Sequence, residues 1–201
     1  MYAKIVKDPA LCKLDAYTLE EPYVLINDFT KESYKAMMKD CYKLMNAGFD
    51  FLPVVIDSYG GQVYSLLAMW DFLVGTNKKI VTIAHGKAMS CGSILFSLGE
   101  ERYIGEHATV MVHTASNMAW GKESEVKTAA AETTRINNQI FKLLDKNSGQ
   151  KTGYWKSLIK DIDNGELYLN SKQAMDHGLA TKVGIPYVST EIKLSHTLRE
   201  K

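Results

Sequence analysis

Three short stretches of this chain hold the residue types of an acyl-transfer site: DSYGG at 57–61, GKAMSCGS at 86–93 and VMVHT at 110–114. A serine can serve as nucleophile, an imidazole as its base, and N–H groups of a glycine-rich turn can hold the oxyanion. Ser90 is the serine of choice, because it stands where the apolar run IVTIA has ended and the apolar segment SILFSLG begins. A hydroxyl at a helix start lies beside free N–H donors, and the N–H of Cys91 can point at the same space. Gly61 can bring a second N–H there, since it has no Cβ to block the approach. The small neighbours Ala88, Gly92 and Ser93 read as clearance for a substrate backbone. His113 is the candidate base, His85 is a rival, and Lys87 would serve in a Ser–Lys dyad. Each residue also has a plainer reading. Ser90 can be an ordinary helix cap, His113 a satisfied strand-end histidine, the glycine pair a turn and Lys87 a solvated side chain. The order and spacing of all three stretches favour the chemical reading. The pattern at the serine is G-x-x-x-S and not G-x-S-x-G, which argues against an α/β-hydrolase.

The elements that must position these residues follow from the apolar pattern. VLIND (24–28), LPVVI (52–56) and IVTIA (80–84) are continuous apolar runs, and RYIG and ATVMVHT read as two further strands. Such runs favour parallel strands covered on both faces, and parallel sheets collect reactive groups at their carboxyl ends. Between the runs lie two amphipathic patterns. One spans 31–47, with Thr30 as its cap and Gly48 closing it. The other spans 63–75, with Val63, Leu66, Leu67, Trp70 and Val74 on one face. The expected class is therefore α/β, built of repeated strand–helix units. A long helix is predicted over 126–147, either projecting onto a second subunit or lying across the sheet. A short helix is predicted over 154–162, followed by a turn at 164–165. A last helix begins at Ser171 as its cap and ends at Gly178. Residues 185–201 read as a weakly alternating tail.

Composition bounds the rest. A chain of 201 residues with 46% apolar and 23% charged residues suits one domain, 1–201, with a sizeable core. A net charge of +1 gives no electrostatic footprint for nucleic acid or a membrane surface. The three cysteines, Cys12, Cys41 and Cys91, lack the spacing of a disulfide framework or a zinc site. No metal or organic cofactor is expected, nor a signal peptide or membrane-spanning run, and a reducing, cytoplasmic compartment is expected.

These residues resemble the proteolytic subunit of the Clp protease. That family carries a Ser-Pro-Gly-Gly turn, a Gly-x-Ala-x-Ser-Met-Gly-Ala segment and a Met-Ile-His segment. Here they read Ser58-Tyr59-Gly60-Gly61, then Gly86-Lys87-Ala88-Met89-Ser90-Cys91-Gly92-Ser93, then Met111-Val112-His113. The 29 positions from Gly61 to Ser90 look like the family's own spacing. The long helix with Ser148-Gly149-Gln150 after it resembles the family's handle helix and its Thr-Gly-Gln. Tyr168-Leu169 through Ala174-Met175-Asp176-His177-Gly178-Leu179 resembles a later family segment. The likeness spans roughly residues 20–183. It implies a crotonase-like fold with a projecting handle helix and a Ser-His-acid triad that hydrolyses peptide bonds. It further implies heptameric rings stacked as a tetradecamer, fed with unfolded polypeptide by an AAA+ ring ATPase. By position, Glu166 matches the family's triad Asp, with Asp163 the second choice and Asp161 also near. The oxyanion donors carry over to Gly61 and Cys91. Tyr59 replaces a proline, Cys91 replaces a methionine, and residues 1–20 do not follow the family's axial loop.

Two rival readings keep the same fold: a catalytically weak or inactive ring subunit with a structural role, and a crotonase-type acyl-CoA enzyme. No acidic acid/base pair supports the second.

Overall fold

The computed structural model describes residues 22–188, so the expectations for 1–20 and for most of the 185–201 tail lie outside the described residues. The chain order is β1 (Val24–Ile26), α1 (Lys31–Asn46), β2 (Phe51–Ser58), α2 (Val63–Gly75), β3 (Lys79–Met89) and α3 (Cys91–Phe96). Then come β4 (Glu101–Ile104), β5 (Thr109–His113), α4 (Glu123–Asn147), α5 (Tyr154–Lys160), β6 (Glu166–Leu169), α6 (Ser171–Asp176) and β7 (Lys182–Val183). The strands form one sheet in the order β1-β2-β3-β4-β7, with β5 also paired to β3 and β6 paired to β5. All pairings are parallel except β5–β6, which is antiparallel. This is the mixed, largely parallel α/β class expected from the continuous apolar runs.

Strand β3 is the organising element. It reaches well beyond IVTIA, through His85, Gly86, Lys87 and Ala88 to Met89. One edge pairs with β2 from Lys79 to Ala84 and again at Ala88, with a bulge at His85–Lys87 between them. The other edge is shared: Val81–Ala84 pair with β4, and Lys87–Met89 pair with β5. The stretch before Ser90 is therefore a strand and not a turn. Past the bulge, Lys87–Met89 pair with β5 and Ala88 pairs also with Ser58 of β2, and this pairing holds in a strand residues whose side chains alone would not specify one.

The core lies between the sheet and its helices. Ile26, Leu52, Val54 and Ile56 meet Met37, Cys41 and Leu44 of α1 and Leu66, Met69 and Leu73 of α2, all nearly inaccessible. Burying a side chain of this size contributes about 1.5–3 kcal/mol. Thr30 caps α1 as expected, accepting from the N–H of Ser33 while Ser33 Oγ accepts from the N–H of Thr30. On α2 the buried stripe is Leu66, Met69, Trp70 and Leu73, whereas Val74 is exposed. The expected face was rotated because this helix is apolar nearly all round, so periodicity does not choose the side that packs. The cap of α6 is Asn170, whose side chain accepts from the N–H of Gln173, and Ser171 is the first helical residue.

Helix α4 has two halves. Residues 123–135 contain no buried position, while Ile136, Ile140, Phe141 and Leu144 enter the core. At its end the buried Asp145 accepts from the N–H groups of Gly153 at 2.7 Å and Trp155 at 3.1 Å. Ser148 Oγ accepts from the Trp155 indole at 2.8 Å. These bonds fix the turn that sends the chain back towards β6.

Candidate active site

The pairing of β5 with the end of β3 decides the geometry of the site. Met89 is in register with Met111, and the N–H of Ser90 donates to the Met111 carbonyl at 2.9 Å. His113, two residues further along β5, thereby reaches Ser90. Its Nε2 lies 2.7 Å from Ser90 Oγ. Ser90 makes no side-chain cap to α3, so the ordinary helix-cap role does not describe it. Its backbone is also unusual, with φ 54° and ψ −120°, a left-handed φ that a residue bearing a Cβ rarely adopts. Holding a non-glycine residue there costs on the order of 1–3 kcal/mol, and such strain clusters at functional sites.

The glycine pair is shaped by its neighbours. Gly60 has φ 111°, and a Cβ there would stand 2.6 Å from Cβ of Ser90. Gly61 has φ 151°, forms a parallel bridge with Phe29, and a Cβ would meet the Phe29 carbonyl oxygen at 2.8 Å. Only glycine allows the turn to lie this close to the serine and to the strand beside it. Gly61, Ser90, Cys91 and His113 all line one cavity of about 210 Å³, walled further by Val63, Leu66, Ile94 and Ala115. Cys91 opens α3, so its N–H is among the donors that a helix start leaves without an intrahelical acceptor. Its thiol donates to the Gly61 carbonyl at 3.3 Å, and burial pushes its pKa up to about 11. It is a packed thiol and not a thiolate.

The small residues around the serine serve crowding. Ala88, Gly92 and Ser93 are buried, Ala88 is in register with Ser58, and Ser93 Oγ donates to the Ser90 carbonyl. The expectation that they clear space for a substrate backbone is corrected by that burial. Lys87 is not free to act as a base. Its Nζ lies 2.7 Å from Asp57 Oδ1 and 4.5 Å above the Tyr59 ring, and the hydrogen bond to Asp57 raises its pKa, keeping it protonated. His85 is exposed and lines a separate, larger groove of about 800 Å³ with Asp57, Ile83 and Tyr103. That groove contains neither Ser90 nor His113.

The candidate acids are arranged less simply. Glu166 is the direct antiparallel partner of His113, so the two side chains share one face of the β5–β6 ladder. Directly opposed Cβ atoms lie about 4.5–5.5 Å apart, within reach of a Glu carboxylate. The carboxylate instead accepts a hydrogen bond from Tyr168 at 3.0 Å. Asp161 and Asp163 are exposed in the turn before β6. Among the described residues no carboxylate is hydrogen-bonded to His113.

A model of the Clp protease family matches residues 19–186. The chain belongs to the Clp protease family. Its α/β architecture agrees with that of the family. The ATP-dependent Clp protease proteolytic subunit of Dehalococcoides mccartyi is 32% identical over 134 residues, which is 66% of this chain and 65% of that protein. The match thus spans a little under two thirds of that relative's length. Within this Clp family chain, the three stretches converge on one cavity because β2 and β5 both pair with the end of β3.

Several contacts were not foreseen from the sequence. Asn137 of α4 clamps Ala115, accepting from its N–H at 2.7 Å and donating to its carbonyl at 3.2 Å. This ties the cavity wall after His113 to the long helix. Strand β6 was also missed, because ELYL is short and offers only four residues to a period-two pattern. Among the described residues no helix is long and apolar enough to cross a membrane, and no cluster of candidate metal ligands occurs.

Proposed function

We propose that this chain is a serine endopeptidase that cleaves unfolded polypeptides or peptides. The observation that carries the reading is the 2.7 Å contact between His113 Nε2 and the hydroxyl of a serine held at positive φ beside two glycines. His113 takes the proton from Ser90 as Oγ attacks the scissile carbonyl, then delivers it to the leaving amine, and water hydrolyses the acyl-enzyme. This requires Nε2 to be the unprotonated nitrogen and Nδ1 to carry the proton. The N–H groups of Gly61 and Cys91 hold the oxyanion. Glu166, opposite His113, is the acid that orients Nδ1–H, and Asp163 is the alternative.

Family membership supports assembly into heptameric rings stacked as a tetradecamer. The exposed first half of α4 offers a surface for contact between rings. An AAA+ unfoldase would supply substrate, and free thiols at Cys41 and Cys91 fit a cytoplasmic location. A second reading, an inactive or weakly active ring subunit, is favoured by one observation: the Glu166 carboxylate is engaged by Tyr168 and not by His113.

Labelling with a fluorophosphonate, mapped by mass spectrometry, separates the two. One adduct on the peptide carrying Ser90, absent in Ser90→Ala, with peptide hydrolysis falling about a thousandfold or more, is the result expected of the peptidase. An assembled protein that takes no adduct is the inactive subunit.

A further inference from the structure

The face of the β5–β6 ladder that carries His113 also carries a hydroxyl aimed at the carboxylate opposite it. His113 is in register with Glu166, and Met111 with Tyr168, so all four side chains project from the same side of the two strands. Tyr168 Oη donates to Glu166 Oε2 at 3.0 Å. The hydrogen bond to Glu166 raises the phenol pKa of Tyr168, so the phenol stays protonated and able to donate throughout the neutral range. Tyr168 is half exposed and Glu166 partly so, which leaves both side chains free to change rotamer without disturbing the core.

A carboxylate two residues from one donor and directly across from another has two local resting places. In one it accepts from Tyr168 on its own strand. In the other it accepts from the His113 Nδ1–H across the ladder and steadies the imidazolium that forms when Ser90 gives up its proton. We propose that Tyr168 is a positioning residue that competes with His113 for the Glu166 carboxylate, and so sets the fraction of molecules in which the triad is complete. The inference rests on the assignment of Glu166 as the acid. It makes the site self-limiting: the resting chain keeps its Ser–His pair, and completing the triad requires one exposed side chain to change partners.

The test is Tyr168→Phe, which removes one oxygen and keeps the ring. Loss of an ordinary net hydrogen bond, the measure suited to this exposed pair, shifts such a local equilibrium by about three- to tenfold. Tyr168→Phe is therefore expected to raise kcat for a fluorogenic peptide, and the rate of fluorophosphonate labelling at Ser90, by about that factor, with KM unchanged. The gain should vanish in a Glu166→Gln background, since the hydroxyl acts only through that carboxylate. If Glu166→Gln slows the enzyme while Tyr168→Phe is neutral or slower, the competition is wrong and the acid assignment stands. If Glu166→Gln is as fast as the parent, Glu166 is not the acid and the inference falls with that assignment. Labelling of none of the four proteins, parent included, overturns the serine-peptidase reading itself.

Discussion

Gly60 and Ser90 are 30 positions apart in the chain, and the missing side chain of one makes room for the other: a Cβ on Gly60 would stand 2.6 Å from the Cβ of Ser90. The turn that carries Gly61 and the segment that carries Cys91, the two proposed oxyanion donors, are thereby pressed together. Gly60 also has φ 111°, a conformation that residues with a Cβ rarely adopt.

Gly60→Ala meets both obstacles. It is expected to destabilise the fold by about 1–3 kcal/mol through backbone strain and to displace Ser90 from His113. The denaturation midpoint reports the first effect. Fluorophosphonate labelling of Ser90, expected to fall by about a hundredfold, reports the second. Labelling at the parent rate would mean the turn relaxes without moving the serine.

Lys87 sits three residues before Ser90 but is held by Asp57 and the ring of Tyr59. Lys87→Met is expected to change peptide hydrolysis by less than about fivefold, because exposed ion pairs carry little energy. Loss of hydrolysis comparable with that in Ser90→Ala would restore the Ser–Lys dyad and remove His113 as the base.

Cys91 is the residue next to Ser90, the proposed nucleophile, and its thiol is the obvious competitor for electrophiles. Burial holds its pKa near about 11, and that of Cys41 near about 12, both above the ordinary thiol value of 9.0. A raised thiol pKa means that the neutral, unreactive form persists as pH rises. Iodoacetamide at pH 8 should therefore leave both thiols unmodified in the native protein and alkylate both after denaturation, as read by peptide mapping. Native alkylation of Cys91 would show a reactive thiol at the site.

Asp145 is buried at the end of α4 and accepts from two backbone N–H groups at the start of α5. Asp145→Ala leaves both donors without an acceptor and is expected to cost about 2–4 kcal/mol. Urea unfolding measures it. Asp145→Asn, which keeps one acceptor oxygen, should lose less.

The amino-acid sequence by itself determined the strand–helix alternation, the parallel character of the first strands, the Thr30 cap and four of the residues that line the cavity, Gly61, Ser90, Cys91 and His113. Those features are written in local patterns: continuous apolar runs, a hydroxyl before a helix, glycines next to a serine. It also pointed to Ser90 over other serines, because few positions combine a strand end with such small neighbours.

Tertiary structure decided the remainder. The extension of β3 to Met89 depends on partners along both its edges, and local sequence does not announce those partners. The contact of Ser90 with His113 exists because β5 takes over the β3 edge where β4 leaves it, a long-range pairing with no local signature. The buried face of α2 was chosen by its neighbours, since an all-round apolar helix has no preferred side of its own. Asn170 and Ser171 are both good caps, and only the backbone path selected Asn170. For Lys87, His85 and Glu166 the deciding fact is which partner each side chain found: Asp57 for Lys87, a separate groove for His85 and Tyr168 for Glu166. A long polar side chain can reach several groups within a few ångströms. Its role is fixed by three-dimensional competition among them, and the sequence places the competitors without ranking them.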